Sequence, residues 1–146
     1  MMKKKWMLLC FVVTMTASLM MGCTMMNSME DGYYTAEMSE YSFGWKEYVC
    51  IQVKNDVIVS AEFNAKNESG FIKAWDNAYM KNMGGVQGTY PNKYTREYAR
   101  QLMEGQKDTQ VDVISGATTS GDNFKKLVTA VIEQAKTGDT TVKKVD

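Results

Sequence analysis

Apolar and polar residues alternate between residues 33 and 65, which is the pattern of half-buried β-strands. Three strands are predicted, over residues 33–41, 45–54 and 57–65. The dipeptide Asn55-Asp56 separates the last two and favours the tight turn of a β-hairpin. With the first run beside the hairpin, we expect an antiparallel meander with one face in solvent. In the third run, one face is expected to carry Val57, Val59, Ala61 and Phe63.

Beyond residue 68 the apolar positions recur every three or four residues, as they do on one face of an α-helix. A first helix is predicted over residues 69–85, where Gly84-Gly85 ends it, and its Trp75 is expected in the core. A second helix covers residues 92–106, with Pro91 at its entrance. A third runs from about residue 122 to residue 136 and is capped by Gly138. Its buried stripe comprises Phe124, Leu127, Val128, Val131, Ile132 and Ala135.

Residues 111–114 are a short apolar run between the second and third helices and are predicted to form a returning strand. Strands come first and helices follow, which is typical of the α+β class. The predicted fold is therefore α+β: an antiparallel β-meander followed by helices, with a short strand–loop–helix unit towards the C-terminus. About a hundred structured residues amount to one domain.

The N-terminus carries the pattern of a secretory signal. Three lysines at positions 3–5 precede an uncharged, largely apolar segment over residues 6–21, followed by Gly22-Cys23. This ending resembles the lipobox of bacterial lipoproteins, in which the signal is cut before the cysteine and the cysteine is acylated. An uncleaved transmembrane anchor is the alternative, although the apolar run is short for a span. We predict a signal peptide over residues 1–22, a tether over 23–31 with lipid on Cys23, a domain over 32–140 and a tail over 141–146.

The amino-acid composition argues against several classes of function. The chain has no histidine, which excludes a His-dependent triad and removes a common metal ligand. Cys50 is the single cysteine of the predicted mature body, so no intrachain disulfide is expected there. Without the three N-terminal lysines, 14 basic residues face 17 acidic ones, and the net charge falls from 0 to about −3. This balance argues against a nucleic-acid partner, which requires a basic surface.

The stretch DVISGATTS, residues 112–120, is a hydroxyl-rich loop just before the predicted third helix. The N–H groups of a helix start attract anions, and the hydroxyls of Ser115, Thr118, Thr119 and Ser120 can add donors for a phosphate. Ordinary turn and capping chemistry explains the same residue types. The GxxxxGK[ST] pattern of nucleotide triphosphate binding is missing, because no lysine stands at the required place.

The segment from Asp112 to Thr118, DVISGAT, resembles the Asp-x-x-Ser/Thr-Gly-Ala-Thr motif of the bacterial FMN-binding domain. That family occurs in subunits of sodium-pumping NADH:quinone reductases and Rnf-type complexes, and in small lipoproteins. The resemblance extends more loosely from residue 32 to about residue 138. In the family, a flavin transferase moves FMN from FAD onto the last threonine. The resemblance implies that Thr118 is the acceptor, with Thr119 as its rival. It assigns recognition to Asp112, Ser115, Gly116 and Ala117.

The resemblance implies a membrane-anchored flavoprotein that passes electrons on the extracytoplasmic side of the cell membrane, with FMN joined to Thr118 by a phosphoester. Its electron donor and acceptor are open. Two alternatives remain: a flavin reductase acting on a small molecule, and a lipoprotein that binds FMN reversibly or has a structural or surface role. Asp122 is expected near the phosphate, which it would repel. The candidate contacts of the flavin ring are Trp45, Tyr90 and Tyr94, and Lys46 or a backbone N–H is the candidate that stabilises reduced flavin.

Overall fold

The computed structural model describes residues 27–146, so the predicted signal peptide and Cys23 lie outside the described part of the chain. Within it, the α+β class is confirmed: three strands precede three α-helices, and the second and third of these helices cover one face of a four-stranded sheet. No helix within residues 27–146 is both long and apolar enough to cross a membrane. The elements are β1 (Gly32–Met38), β2 (Lys46–Lys54), β3 (Val57–Lys66), a 3-10 helix (Lys73–Trp75), α1 (Asn77–Gln87), α2 (Pro91–Gly105), α3 (Thr118–Thr137) and β4 (Lys143–Val145).

The sheet has the strand order β3-β2-β1-β4, and its first three strands form the predicted antiparallel meander. Inward-facing residues lie opposite one another across the strands. Ile51 is paired with Tyr34 on one side, while Val49 is paired with Ala36 and with Phe63. All five side chains are buried, because helices α2 and α3 pack on this face.

The inward face of β3 differs from the predicted one near its start. Val57 and Val59 are 47% and 44% exposed, whereas Ile58 is 1% exposed. The cause is a β-bulge: Val53 pairs with Ile58, but the preceding Gln52 pairs with Ser60, so Val59 is an extra residue in the ladder. The bulge shifts the alternation by one position and brings Ile58 into the core.

The core is centred on three aromatic rings contributed by β3, α2 and α3. The ring of Phe63 lies 4.8 Å from that of Phe124 and 5.9 Å from that of Tyr98, measured between centroids. Phe124 is fully buried, as predicted, and the whole predicted stripe of α3 is buried with it. The stripe follows the period of a helix, which explains why the sequence alone identified it.

The first helical region is shorter and later than predicted. Helix α1 begins only after Asp76, whose side-chain Oδ1 accepts a hydrogen bond from the backbone N–H of Tyr79 at 2.9 Å. It continues through Gly84-Gly85 and ends at Gly88, which has a positive φ of 71°. Trp75 was expected in the core, but it belongs to the separate 3-10 helix and is 66% exposed.

The predicted strand over residues 111–114 is wrong, because this segment has no strand assignment. Side chains of α2 hold its backbone instead. The Tyr98 hydroxyl accepts a hydrogen bond from Ile114 N at 3.1 Å, and Gln101 Oε1 accepts one from Asp112 N at 2.7 Å. The edge strands of the sheet are β3 and β4, and neither of them pairs with this segment.

Strand β4 lies in the region predicted to be a tail and pairs in parallel with the end of β1. It brings Lys144 to the buried carboxylate of Glu37, which also forms a salt bridge of 2.8 Å with Lys66. Burial alone would raise the pKa of Glu37, but the hydrogen bonds and charges of Lys144 and Lys66 outweigh it and hold the pKa below its ordinary value. Glu37 thus ties the last strand to the sheet as an ionised group.

We expect Glu37→Gln to lower the free energy of unfolding by about 1–2 kcal/mol above pH 5, since both ion pairs are lost but both lysines are partly exposed. A depressed native pKa contributes stability above the unfolded-state pKa, which is about 4.3 for Glu. That stability disappears as the pH falls through the lower native pKa. Urea unfolding from pH 7 to pH 3 should therefore show a smaller loss of stability in the variant. Glu133→Gln, at an exposed pair with Lys136, is the control and should follow the wild type.

Candidate functional site

A cleft of about 790 Å³ opens beside the first turn of α3. The turn before β2 forms one wall and α1 forms another, while Glu47 and Tyr94 lie towards the core. The residues that line it are Ser42, Phe43, Trp45, Glu47, Lys73, Tyr79, Asn82, Met83, Val86, Gln87, Tyr94, Gly116–Ser120 and Asn123.

Five of the seven predicted cofactor-binding residues line this cleft, and they are consecutive, from Gly116 to Ser120. The other two, Asp112 and Ser115, are exposed and do not line it. Among the candidate ring contacts, Trp45 and Tyr94 line the cleft, whereas Tyr90 does not. Lys46 and Asp122 also fall outside the lining, and Lys46 instead lies 4.6 Å from the centre of the Tyr41 ring.

Helix α3 begins at Thr118, four residues earlier than predicted, so Thr118 lies in the first helical turn and not in a loop. A turn precedes it, in which Ala117 N donates to Ile114 O at 2.9 Å, and Gly121 N then donates to Ala117 O at 2.9 Å. Ala117 has no side-chain oxygen with which to cap the helix. The N–H groups of the first turn have no partner within the helix, so they remain available to an anion in the cleft.

The hydroxyl-bearing side chains of this turn differ in what they contact. Ser120 Oγ donates a 2.6 Å hydrogen bond to Glu47 Oε1 and is therefore engaged with the protein. Thr118 and Thr119 are exposed, and neither side chain takes part in a hydrogen bond within residues 27–146. Two hydroxyls thus remain accessible at the helix start.

Gly116 places the motif directly against the end of α1. Its φ is +81°, and a Cβ atom there would lie 2.6 Å from the backbone oxygen of Gln87 and 3.1 Å from Thr89 Cγ2. Only glycine fits this combination of a left-handed backbone and close contact. The small residue of the motif therefore lets α3 begin next to the wall that α1 contributes.

Tyr98 fixes the other side of the motif. Its hydroxyl accepts a hydrogen bond from Ile114 N and donates one of 3.3 Å to Ala117 O, the carbonyl that starts α3. Burial, together with the charges of Asp122 and Glu47, raises the pKa of Tyr98, so the hydroxyl stays protonated and can donate. Tyr98 falls within the predicted second helix, and the spacing of apolar residues there contains no signal for this second role.

Glu47 was not predicted as a site residue. Its buried carboxylate accepts hydrogen bonds from Ser120 Oγ and, through Oε2, from Asn123 Nδ2 at 2.7 Å. It thereby ties the start of α3 to the start of β2. A signal was present in the sequence, because Glu47 occupies an inward position two residues before Val49 in an alternating strand.

An aromatic wall of Trp45 and Tyr79 forms the outer part of the cleft. The two rings meet edge to face, with 6.1 Å between centroids. Tyr94 lies deeper and is 2% exposed, and burial raises its pKa well above the ordinary value. Tyr79 falls within the predicted first helix, and nothing in its spacing indicates that it lies beside Trp45.

Comparison with known protein families shows which kind of domain contains this cleft. The family model of the FMN-binding domain matches residues 44–133, which is more than half of the chain. This chain belongs to the FMN-binding domain family. The matched region of the FMN-binding domain includes every residue of the cleft lining except Ser42 and Phe43. The resemblance inferred from the motif is thus confirmed.

Two known proteins are similar to this FMN-binding domain over most of their length. The 15 kDa lipoprotein of Treponema pallidum (strain Nichols) is 28% identical over 123 residues, which cover 84% of this chain and 87% of that protein. The crystal structure of the CPE2226 protein from Clostridium perfringens is 36% identical and superposes with a TM-score of 0.77. The alignment covers 81% of this chain and 98% of that one. The fold is therefore shared along almost all of a solved relative.

The cleft of the FMN-binding domain fits a flavin mononucleotide. Its volume lies within the range of about 300–1,000 Å³ that is usual for small-ligand sites. Aromatic side chains suit the isoalloxazine ring, and the uncapped N–H groups of α3 suit the phosphate. Ring and phosphate thus have complementary surfaces in a single cleft.

Proposed function

We propose that this protein is a membrane-anchored electron carrier whose FMN is joined through a phosphoester to Thr118. The observation that carries the proposal is the position of Thr118. Its exposed hydroxyl stands at the uncapped start of α3 and lines the same cleft as the aromatic wall of Trp45 and Tyr79. A flavin attached there has a surface for its ring and N–H donors for its phosphate.

Attachment requires access by a second protein, a flavin transferase. The Thr118 hydroxyl would replace AMP on the FMN phosphate of FAD, so that one P–O bond breaks, one forms and the hydroxyl proton is released. Asp112 and Ser115 are exposed, so a transferase can reach them. The family motif ends at Thr118, which makes it the proposed acceptor in preference to Thr119.

Within the finished site, this chain binds and orients the cofactor. The first turn of α3 offers N–H groups to the phosphate, and Glu47 holds that turn in place through Ser120. FMN supplies the redox chemistry when it is bound, while the protein controls its environment and exposure. The domain contains no histidine to act as a proton donor, which supports a carrier more than an enzyme that reduces a small molecule.

The similarity to a bacterial lipoprotein supports an anchor at Cys23. The chain enters the fold at the turn between β2 and β3, where Met29 N donates to Asp56 Oδ1 at 2.7 Å. The cleft lies at the other end of β2, beside Trp45. Strand β2 has nine residues, so its two ends lie roughly 26 Å apart at about 3.3 Å per residue. This arrangement supports electron exchange on the extracytoplasmic side with a partner that approaches from the aqueous phase.

The test is the intact mass of residues 24–146 after co-expression with a flavin transferase, compared with expression alone. We expect a gain of one FMN less one water, and the absorbance of the attached flavin should bleach on reduction and recover on reoxidation. A control acceptor protein verifies that the transferase is active. If the control gains the mass and this domain does not, covalent attachment is wrong, and reversible binding or a structural role replaces it.

A further inference from the structure

Lys73 brings a positive charge into the cleft. Its Nζ atom lies 4.7 Å from the centroid of the Tyr79 ring and 5.9 Å from that of Trp45. Both distances are within the range of cation–π attraction, which is about 6 Å. The ammonium group therefore rests against the aromatic wall.

Within residues 27–146, no acidic side chain is paired directly with this charge in the cleft. None of the salt bridges in the described part of the chain involves Lys73. Glu47 is the other charged residue of the lining, and its two oxygens accept hydrogen bonds from Ser120 and Asn123. The cleft thus has one cation without an acidic partner.

The fold holds Lys73 at this place. It begins the 3-10 helix, in which Asp76 N donates to Lys73 O at 3.1 Å, and the next residue, Ala74, is buried. Ile72, just before it, forms an antiparallel bridge with Lys66 at the end of β3. The backbone under Lys73 is therefore anchored on both sides, unlike that of a lysine in a loop.

We propose that Lys73 sets the redox potential of the flavin by stabilising the negative charge of its reduced form, an inference that rests on the proposed FMN site. Reduction by an electron donor of lower potential adds two electrons, and uptake of one proton from solvent at neutral pH leaves the ring system with one additional negative charge. An unpaired cation on the wall that suits the ring favours this charged product. The aromatic rings exclude water from one side of the ammonium group, which strengthens its field.

The first test is the midpoint potential of the flavin-loaded protein with Lys73→Met, Lys73→Arg and Lys46→Met. Lys73→Met should shift the ratio of oxidised to reduced flavin at a fixed solution potential at least tenfold towards the oxidised form. For a two-electron couple, tenfold corresponds to a fall of about 30 mV. Lys73→Arg keeps the charge and should stay within a few-fold of the wild type. Lys46→Met is the matched control, because Lys46 lies outside the cleft, and it should change nothing.

A second measurement does not depend on covalent attachment. In a Thr118→Ala background, adding Lys73→Met should weaken the binding of reduced FMN at least tenfold more than that of oxidised FMN. If both oxidation states of FMN weaken equally while riboflavin is unaffected, Lys73 binds the phosphate and the inference is wrong. An unchanged potential would overturn it as well. A failure to gain mass at Thr118 contradicts only the covalent part of the proposed function, since the reversible titration still tests Lys73.

Discussion

Replacement of Thr118 by alanine is expected to abolish covalent attachment of FMN completely, whereas Thr119→Ala should retain it. The Cα–Cβ bonds of a helix lean towards its N-terminus, so the first residue directs its side chain ahead of the N–H groups. A phosphate on Thr118 would lie where those groups point, while Thr119 stands one position further into α3. The family motif ends on Thr118, and both arguments select the same hydroxyl.

The measurement is intact mass after co-expression with a flavin transferase, followed by flavin fluorescence of the denatured protein. Both threonines are exposed, so each substitution should change the free energy of unfolding by no more than about 0.5 kcal/mol. The two variants thus serve as controls for each other. Attachment lost in Thr119→Ala and kept in Thr118→Ala would identify the rival acceptor. Attachment kept in both would place the flavin elsewhere.

Gly116→Ala should cost about 3 kcal/mol of stability, through two separate effects. An L-residue in the left-handed region costs roughly 1–2 kcal/mol. The new Cβ would also lie 2.6 Å from Gln87 O, a backbone atom at the end of α1 that cannot turn away, and forced overpacking costs about 1–3 kcal/mol. Because the strained segment contains the attachment motif, flavin loading should fall as well.

Gly88→Ala separates these two effects. Gly88 has a φ of +71°, close to that of Gly116, but a Cβ atom added there would meet no atom within 4 Å beyond its own neighbours in the chain. It should therefore lose only the conformational part, roughly 1–2 kcal/mol. Urea denaturation of both variants measures the difference. Equal losses would mean that the contact between the motif and α1 yields easily and does not position α3.

The start of α3 shows where local signals were misleading. Ser120 and Asp122 are good capping residues, and the predicted start of the helix was near residue 122. The helix begins at Thr118 instead, because Tyr98 from α2 binds Ala117 O and the Ile114–Ala117 turn directs the chain into the helix. The Ser120 hydroxyl donates its hydrogen bond to Glu47, which is 73 residues away in the sequence. A contact between such distant positions leaves no local pattern.

The sequence alone also did not predict that Lys73 lies beside the aromatic wall. Lys46 follows Trp45 directly, which made it the natural candidate, but successive strand residues face opposite sides of a sheet. Lys46 consequently lies over Tyr41, whereas Lys73, 28 positions beyond Trp45, reaches the Trp45 ring. Adjacency along the chain and adjacency in the cleft differ because β3 and the 3-10 helix fold back on β2.

By itself, the sequence determined the α+β class, the meander, the buried stripe of α3 and the family, because periodicity and a seven-residue motif are local properties. The tertiary structure alone decided the bulge that buries Ile58, the parallel strand β4 and the cleft that joins Thr118 to Trp45, Tyr79 and Lys73. These features depend on pairings between distant segments. Each segment satisfies its backbone hydrogen bonds and buries its apolar surface only when it packs against the other segments.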